Sequence, residues 1–237
     1  DAVISRSAFY TAYTPYQAEA SQGELQAIFE FQSMISELTE MEATNSSLYD
    51  GFTSLSEAVS LAAAVTKRNE SVLSQAVHAT ARAVVHAAAK GRGLDVIEVL
   101  MNKDVTNFYV TNCVTTPDTA AIIIQYPNFF GSVEDLAIFK KIAEEKGALL
   151  IVMANPLALG ILEAPGKLGA DIVVGDTQPF GLPMSFGGPH CGYFSVNQEH
   201  IRKVPGRIVG ETVDADGERA FVLTLQSREQ HIRREKA

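Results

Sequence analysis

Apolar residues recur at helical spacing between positions 24 and 40. Leu25, Ile28, Phe29, Ile35 and Leu38 form one stripe while Gln26, Glu30, Glu37 and Glu40 fall mostly elsewhere, which predicts an amphipathic helix with a core-facing side. A second helix, made of small residues, is expected over 53–66. Residues 72–76 read as a short strand and 80–90 as an alanine-rich helix stopped by Gly91. The stretch 94–100 alternates like a strand. Residues 120–126 are continuously apolar, as in a strand buried on both faces, and the sequence from Pro127 to Gly131 ends it.

The next unit is the clearest. Ser132 with Asp135 three residues on makes a near-capping box, Gly147 is the stop, and Val133, Leu136, Ala137, Phe139, Ile142 and Ala143 make the expected buried side. Strands follow over 149–153, 171–175 and 191–196. Asn197 is expected to cap a short helix that Pro205 ends, and a hairpin turns on Asp214, Ala215, Asp216 and Gly217 with 221–225 returning. Strands alternating with helices imply right-handed crossovers. The expected fold is therefore α/β, with a mainly parallel, mixed sheet carrying helices on both faces.

Composition narrows the class. With 237 residues, 46% of them hydrophobic, the chain can bury a real core. One large domain is expected over 1–237, with 1–22 as an N-terminal arm and 205–237 as the hairpin and the start of a helix. A net charge of −9 argues against a nucleic-acid footprint; the basic cluster at 228–236 is mixed with Glu and reads as a solvated helix face. Cys113 and Cys191 lie far apart, without metal-ligand spacing, which fits a reducing, cytoplasmic setting with neither a disulfide framework nor zinc. No apolar run is long enough for a membrane span. The chain begins without Met and stops inside a helix-like run, so it reads as part of a longer protein.

Candidate chemistry gathers where strands end. After the strand at 171–175 comes a loop holding Gly181, Pro183, Gly187, Gly188 and Pro189, which allows tight turns and close approach to another chain or a ligand. Sites in α/β proteins sit at such strand ends. A fold using pyridoxal phosphate commonly places its Schiff-base lysine just after such a strand, yet Thr177, Gln178 and Pro179 stand here. The strand over 149–153 ends in Val152, Met153 and Ala154, which carry no carboxylate. Near the amino terminus Phe9, Tyr10, Tyr13 and Tyr16 cluster around Pro15, suited either to packing an arm or to reaching into a pocket. The polar turn from Asn45 to Gly51 offers hydroxyls that cap a helix, and the same helix entrance is able to hold a phosphate. His78 and His86, with Arg82 between them, read as packed or surface residues rather than metal ligands.

Three long segments carry a resemblance: AYTPYQAEASQGELQAIFEFQSMISELTEMEATNSSLYDG, GDTQPFGLPMSFGGPHCGYF and PGRIVGETVDADGERAFVLTLQSREQHIRREKA. They resemble the P-protein family, the glycine decarboxylase of the glycine cleavage system, in the form split into two subunits, and the chain is similar to the central large domain of the first. The resemblance implies the aspartate-aminotransferase-like (fold type I) architecture and a heterotetramer whose pyridoxal phosphate is linked to a lysine of subunit 2. It further implies decarboxylation of glycine, transfer of the aminomethyl group to the lipoyl arm of the H-protein, and no cofactor held covalently by this chain. Tyr13 and Tyr16 match the family's tyrosine motif and are the first candidates for completing the partner's site; Gln178, His190 and Arg207 lie in matched loops. Asn45, Ser46, Ser47 and Tyr49 are candidates for a relic of the phosphate cradle. Two other readings stay open: an autonomous pyridoxal enzyme, and a purely structural or regulatory binding module.

Overall fold

The structure, a computed structural model, describes residues 2, 5–10 and 14–225. Tyr13, the basic cluster at 228–236 and the expected start of a helix beside it lie outside the described residues. A first long helix, α1 (Gln22–Thr39), leads through β1 (Ala43–Thr44) to α2 (Gly51–Thr66). Then come β2 (Glu70–Ser74), α3 (Ala79–Arg92), β3 (Asp95–Val99), β4 (Met101–Asn102), β5 (Val105–Thr106) and α4 (Phe108–Val114). The chain continues through β6 (Thr119–Tyr126), α5 (Leu136–Lys146), β7 (Leu149–Ala154), β8 (Ile172–Asp176), β9 (Gly192–Val196), β10 (Ile208–Val213) and β11 (Arg219–Thr224).

Seven strands form one sheet in the order β1-β9-β8-β7-β6-β2-β3. From β3 through β8 every pairing is parallel, and β9 runs antiparallel between β8 and β1. The two-residue period of a strand sorts the core. Ile122, Ile124 and Tyr126 of β6 pack with α1 and α5 on one face, whereas Ala121 and Ile123 pack with α2 and α3 on the other. Ile122, Ile123 and Ile124 are essentially inaccessible, so each contributes roughly 1.5–3 kcal/mol of apolar burial. The β10-β11 hairpin packs on the first half of α1 through Leu25, Val209 and Phe221. Helix α1 thus serves both clusters, with Ile35 reaching the main core.

Several local expectations need correction. Helix α3 passes through Gly91 and ends at Gly93, which adopts a left-handed φ of 68° and donates its amide to Ala89 and Lys90 carbonyls. Helix α5 begins at Leu136, capped by Asp135, whose carboxylate accepts from the Ile138 amide. Ser132 instead bonds Asp104 through its hydroxyl at 2.7 Å, and Val133 and Ala137 are exposed rather than buried. The strand expected at 72–76 lies two residues earlier. The short helix expected from Asn197 is present as a 3-10 helix at Gln198–Lys203, but Asn197 makes no side-chain cap; the Gln198 amide donates to Glu42. At the start of α2 the cap is Asp50, not one of the hydroxyls before it.

Candidate functional site

The parallel strands deliver their carboxyl ends to one edge, and β2 and β6 are neighbours whose following strands diverge to opposite sides. Ligands of open α/β sheets bind outside such an edge. Here a single carboxylate knots three segments together. Asp176, the last residue of β8, accepts the amide of Gly51 at the start of α2 through Oδ2 at 3.0 Å. Its Oδ1 accepts the amide of Gln178 at 2.8 Å and more weakly that of Cys191 at 3.5 Å, and Nδ1 of His190 lies 3.1 Å from Oδ2. The carboxylate therefore holds both ends of the loop 177–191 against the start of a helix.

Glycines let these segments meet. A Cβ on Gly51 would stand 2.9 Å from the Gly175 carbonyl carbon, and one on Gly192 would stand 2.3 Å from the Asp50 carbonyl oxygen. Beneath them Tyr193 is fully buried and donates its hydroxyl to the Ala154 carbonyl at 2.9 Å, closing the end of β7. Burial, and secondarily the Asp176 charge, push the Tyr193 phenol far up, so it stays a neutral donor. The Cys191 thiol is also pushed up, by burial first and by Asp176 last, against a hydrogen bond with Thr177.

A crevice of about 220 Å³ opens between Asp50, Phe52, Met153, Asp176, Pro179 and His190, and one of about 170 Å³ adjoins it over Ala154 and Asn155. His78, just beyond β2, stacks on Phe52 at 5.0 Å between centroids and meets Phe129 edge-on at 4.8 Å. His86 is engaged elsewhere, with Arg82, on Glu98. No group of His, Cys, Asp and Glu among the described residues is arranged to hold a metal ion.

The chain's own groups do not fit pyridoxal phosphate held in this crevice. Two of the α2 amides that would face a phosphate are taken by carboxylates, Gly51 by Asp176 and Thr53 by Asp50 at 2.6 Å, and these would repel a dianion. Thr177, Gln178 and Pro179 supply no amine, and Ala154 supplies no carboxylate.

Of the residues singled out from sequence, His190 and Gln178 come together at this crevice. The Gln178 side chain braces its own loop by donating to the Leu182 carbonyl at 2.8 Å. Tyr16 and Arg207 meet apart from it: the guanidinium donates to the tyrosine hydroxyl at 3.0 Å and its carbon stands 5.0 Å from the ring centroid. Asn45 is buried with its amide spent on backbone, donating to Pro205 and accepting from Phe194. The Ser46 amide donates to the Arg207 carbonyl, Ser47 is exposed, and Tyr49 is 82% exposed. Sequence reasoning passed over Asp50, Phe52 and Asp176. An acidic residue closing an apolar strand directly before a Gly-rich loop was the available signal.

Sheet order, antiparallel β9 and an edge crevice define an open α/β fold of the type I class. A sphingosine-1-phosphate lyase from Burkholderia pseudomallei shares that fold, with a TM-score of 0.65 at 15% identity over 90% of this chain and 53% of the other. Residues 1–237 match the family Glycine cleavage system P-protein, and the chain belongs to it. It is 61% identical over 236 residues to the probable glycine dehydrogenase (decarboxylating) subunit 1 of Brevibacillus brevis, covering 99% of this chain and 52% of that protein. The corresponding protein of Bacillus pumilus is 60% identical over 237 residues, covering 100% and 53%. A crystal structure of glycine decarboxylase (P-protein) of the glycine cleavage system, in inhibitor-bound form, superposes with a TM-score of 0.91 at 47% identity, covering 100% of this chain and 53% of that one. The chain spans about half the length of the curated relatives it matches.

Proposed function

We propose that this chain is the large domain of subunit 1 of a two-subunit glycine dehydrogenase (decarboxylating), and that it completes a site whose coenzyme is carried by subunit 2. In this reading the assembly decarboxylates glycine with pyridoxal phosphate and hands the aminomethyl group to the lipoyl arm of an H-protein in the cytoplasm. The observation that carries the division of labour is the chain's own crevice: carboxylates take the Gly51 and Thr53 amides at the start of α2, and no amine follows β8. A single domain over 1–237 fits α1 packing on both apolar clusters.

The same edge supplies a surface suited to a partner. Along the loop 177–191, Phe180 is 49% exposed, Leu182 38%, Met184 82% and Phe186 fully exposed. Beside it an apolar groove of about 720 Å³ runs between α1 and that loop, lined by Phe31, Met34, Leu38, Phe180 and Leu182. Apolar exposure on this scale marks a contact surface. Gln178, His190, Tyr16 and Arg207 are our candidates for groups presented across it, and Tyr13 joins them on the strength of the family motif alone.

The test is to assemble the full-length chain with subunit 2 and pyridoxal phosphate, reduce with borohydride and map the labelled peptide. Label confined to a subunit 2 lysine is expected. Label on a lysine of this chain would overturn the proposal in favour of an autonomous pyridoxal enzyme.

A further inference from the structure

The geometry points to Asp176 as a positioning residue that fixes the tautomer of His190 and so presents Nε2 as a proton acceptor on the loop facing the partner. Oδ2 of Asp176 already accepts the Gly51 amide, and Oδ1 accepts that of Gln178. A carboxylate engaged in this way has only lone pairs to offer. The proton in its 3.1 Å contact with His190 must therefore reside on Nδ1. In a neutral imidazole that leaves the lone pair on Nε2, which has no hydrogen-bond partner among the described residues, on a side chain 47% exposed.

What distinguishes this pair from an incidental surface contact is how firmly the carboxylate is held. Amides from the start of α2 and from the loop's entry grip both of its oxygens, and its side chain is only 22% exposed. Gly51 admits no side chain between α2 and β8. A base whose orienting group is itself pre-bonded loses little freedom when a proton donor arrives. The donors this arrangement receives are neutral or cationic, a thiol or an ammonium group; the acidic surroundings disfavour an anion. The inference rests on the proposed function for the side to which Nε2 is offered, but the tautomer is read without turnover.

Nitrogen-15 spectra of imidazole-labelled full-length chain, followed with rising pH until the ring signals stop moving, should show the neutral His190 ring protonated on Nδ1 and bare on Nε2. Asp176→Asn, whose single carbonyl oxygen must serve the Gly51 and Gln178 amides, should move the proton toward Nε2. A wild-type Nε2–H form, or a tautomer indifferent to Asp176→Asn, overturns the inference. In the assembled enzyme Asp176→Asn and His190→Gln should each lower kcat by about tenfold or more with KM little changed, and the double variant should be no slower than the slower single one. Unchanged kcat in His190→Gln, or losses that multiply, would equally overturn it. A pyridoxyl label on this chain bears on the proposed function, not on the tautomer.

Discussion

The side chain of Gln32 forms a two-way hydrogen bond with the backbone of Val209, donating through Nε2 to the carbonyl at 3.0 Å and accepting the amide through Oε1 at 2.9 Å. Gln22 repeats the device ten residues earlier with Phe221, at 2.8 Å in both directions. A carboxamide presents the same donor and acceptor as a peptide group. Helix α1 thereby pairs with both strands of the hairpin as a third strand would.

Replacing Gln32 with Ala leaves the Val209 amide and carbonyl without partners at a residue only 2% exposed. Each such group costs about 1–3 kcal/mol. Urea denaturation of the full-length chain should show a lower midpoint with an unchanged slope. Gln22→Ala should cost less, because Gln22 is only partly buried.

Gly192 tests the close approach at the crevice. A methyl group there meets the Asp50 carbonyl oxygen at 2.3 Å and the Ser54 hydroxyl at 2.4 Å, and the Gly192 amide and carbonyl are both hydrogen-bonded to Leu48. Gly192→Ala should destabilise the fold by about 1–3 kcal/mol and raise amide exchange at Gly51 and Thr53. Gly91→Ala, on a helix surface where a Cβ meets nothing, should be neutral or stabilising by up to about 1 kcal/mol.

Acid should release the contacts around Glu98. Its burial pushes the carboxyl up, but hydrogen bonds with His86, Arg82 and Gln75 and the Arg82 charge prevail and hold it below 4.5. A carboxyl lowered on folding adds stability above its unfolded value and loses it as pH falls through the folded one. The stability difference between wild type and Glu98→Gln should therefore persist at neutral pH and shrink steadily below about pH 4.5.

Alkylation should separate the two thiols. Cys113 is exposed, whereas Cys191 is half-buried with its thiol pushed above 9.0. Since the thiolate is the nucleophile, iodoacetamide at about pH 8 should label Cys113 well before Cys191, as read by peptide mass. Equal rates would contradict the burial of Cys191.

Much of this architecture was legible because long apolar runs have few alternatives. The stretch from Ala120 to Tyr126 reads as a strand buried on two faces, and the alternation of strands with helices then fixes the crossovers. Elements such as β1, β4 and β5, of two residues each, carry no period to read. Gly91 and Gly93 offer equivalent stops in sequence, and only the left-handed conformation at Gly93 decides between them. Val133 precedes the helix that Leu136 begins, and Ala137 lies off the buried face of Leu136, Phe139, Ile142 and Ala143, a difference that apolar character alone does not register. Gln32 stands seven residues after Leu25, inside the apolar stripe. A polar residue in that position was itself a sign of a buried bond to a distant backbone. The crevice was legible as a loop and as a missing lysine, but the part played by Asp176 depends on amides from three segments that only folding brings together.

Glycine-bicarbonate exchange, measured with the full-length chain alone, with subunit 2 alone and with both together, tests the central claim most directly. Robust exchange from the mixture and none from this chain by itself is the predicted result. Exchange sustained by this chain in the absence of subunit 2 would contradict it.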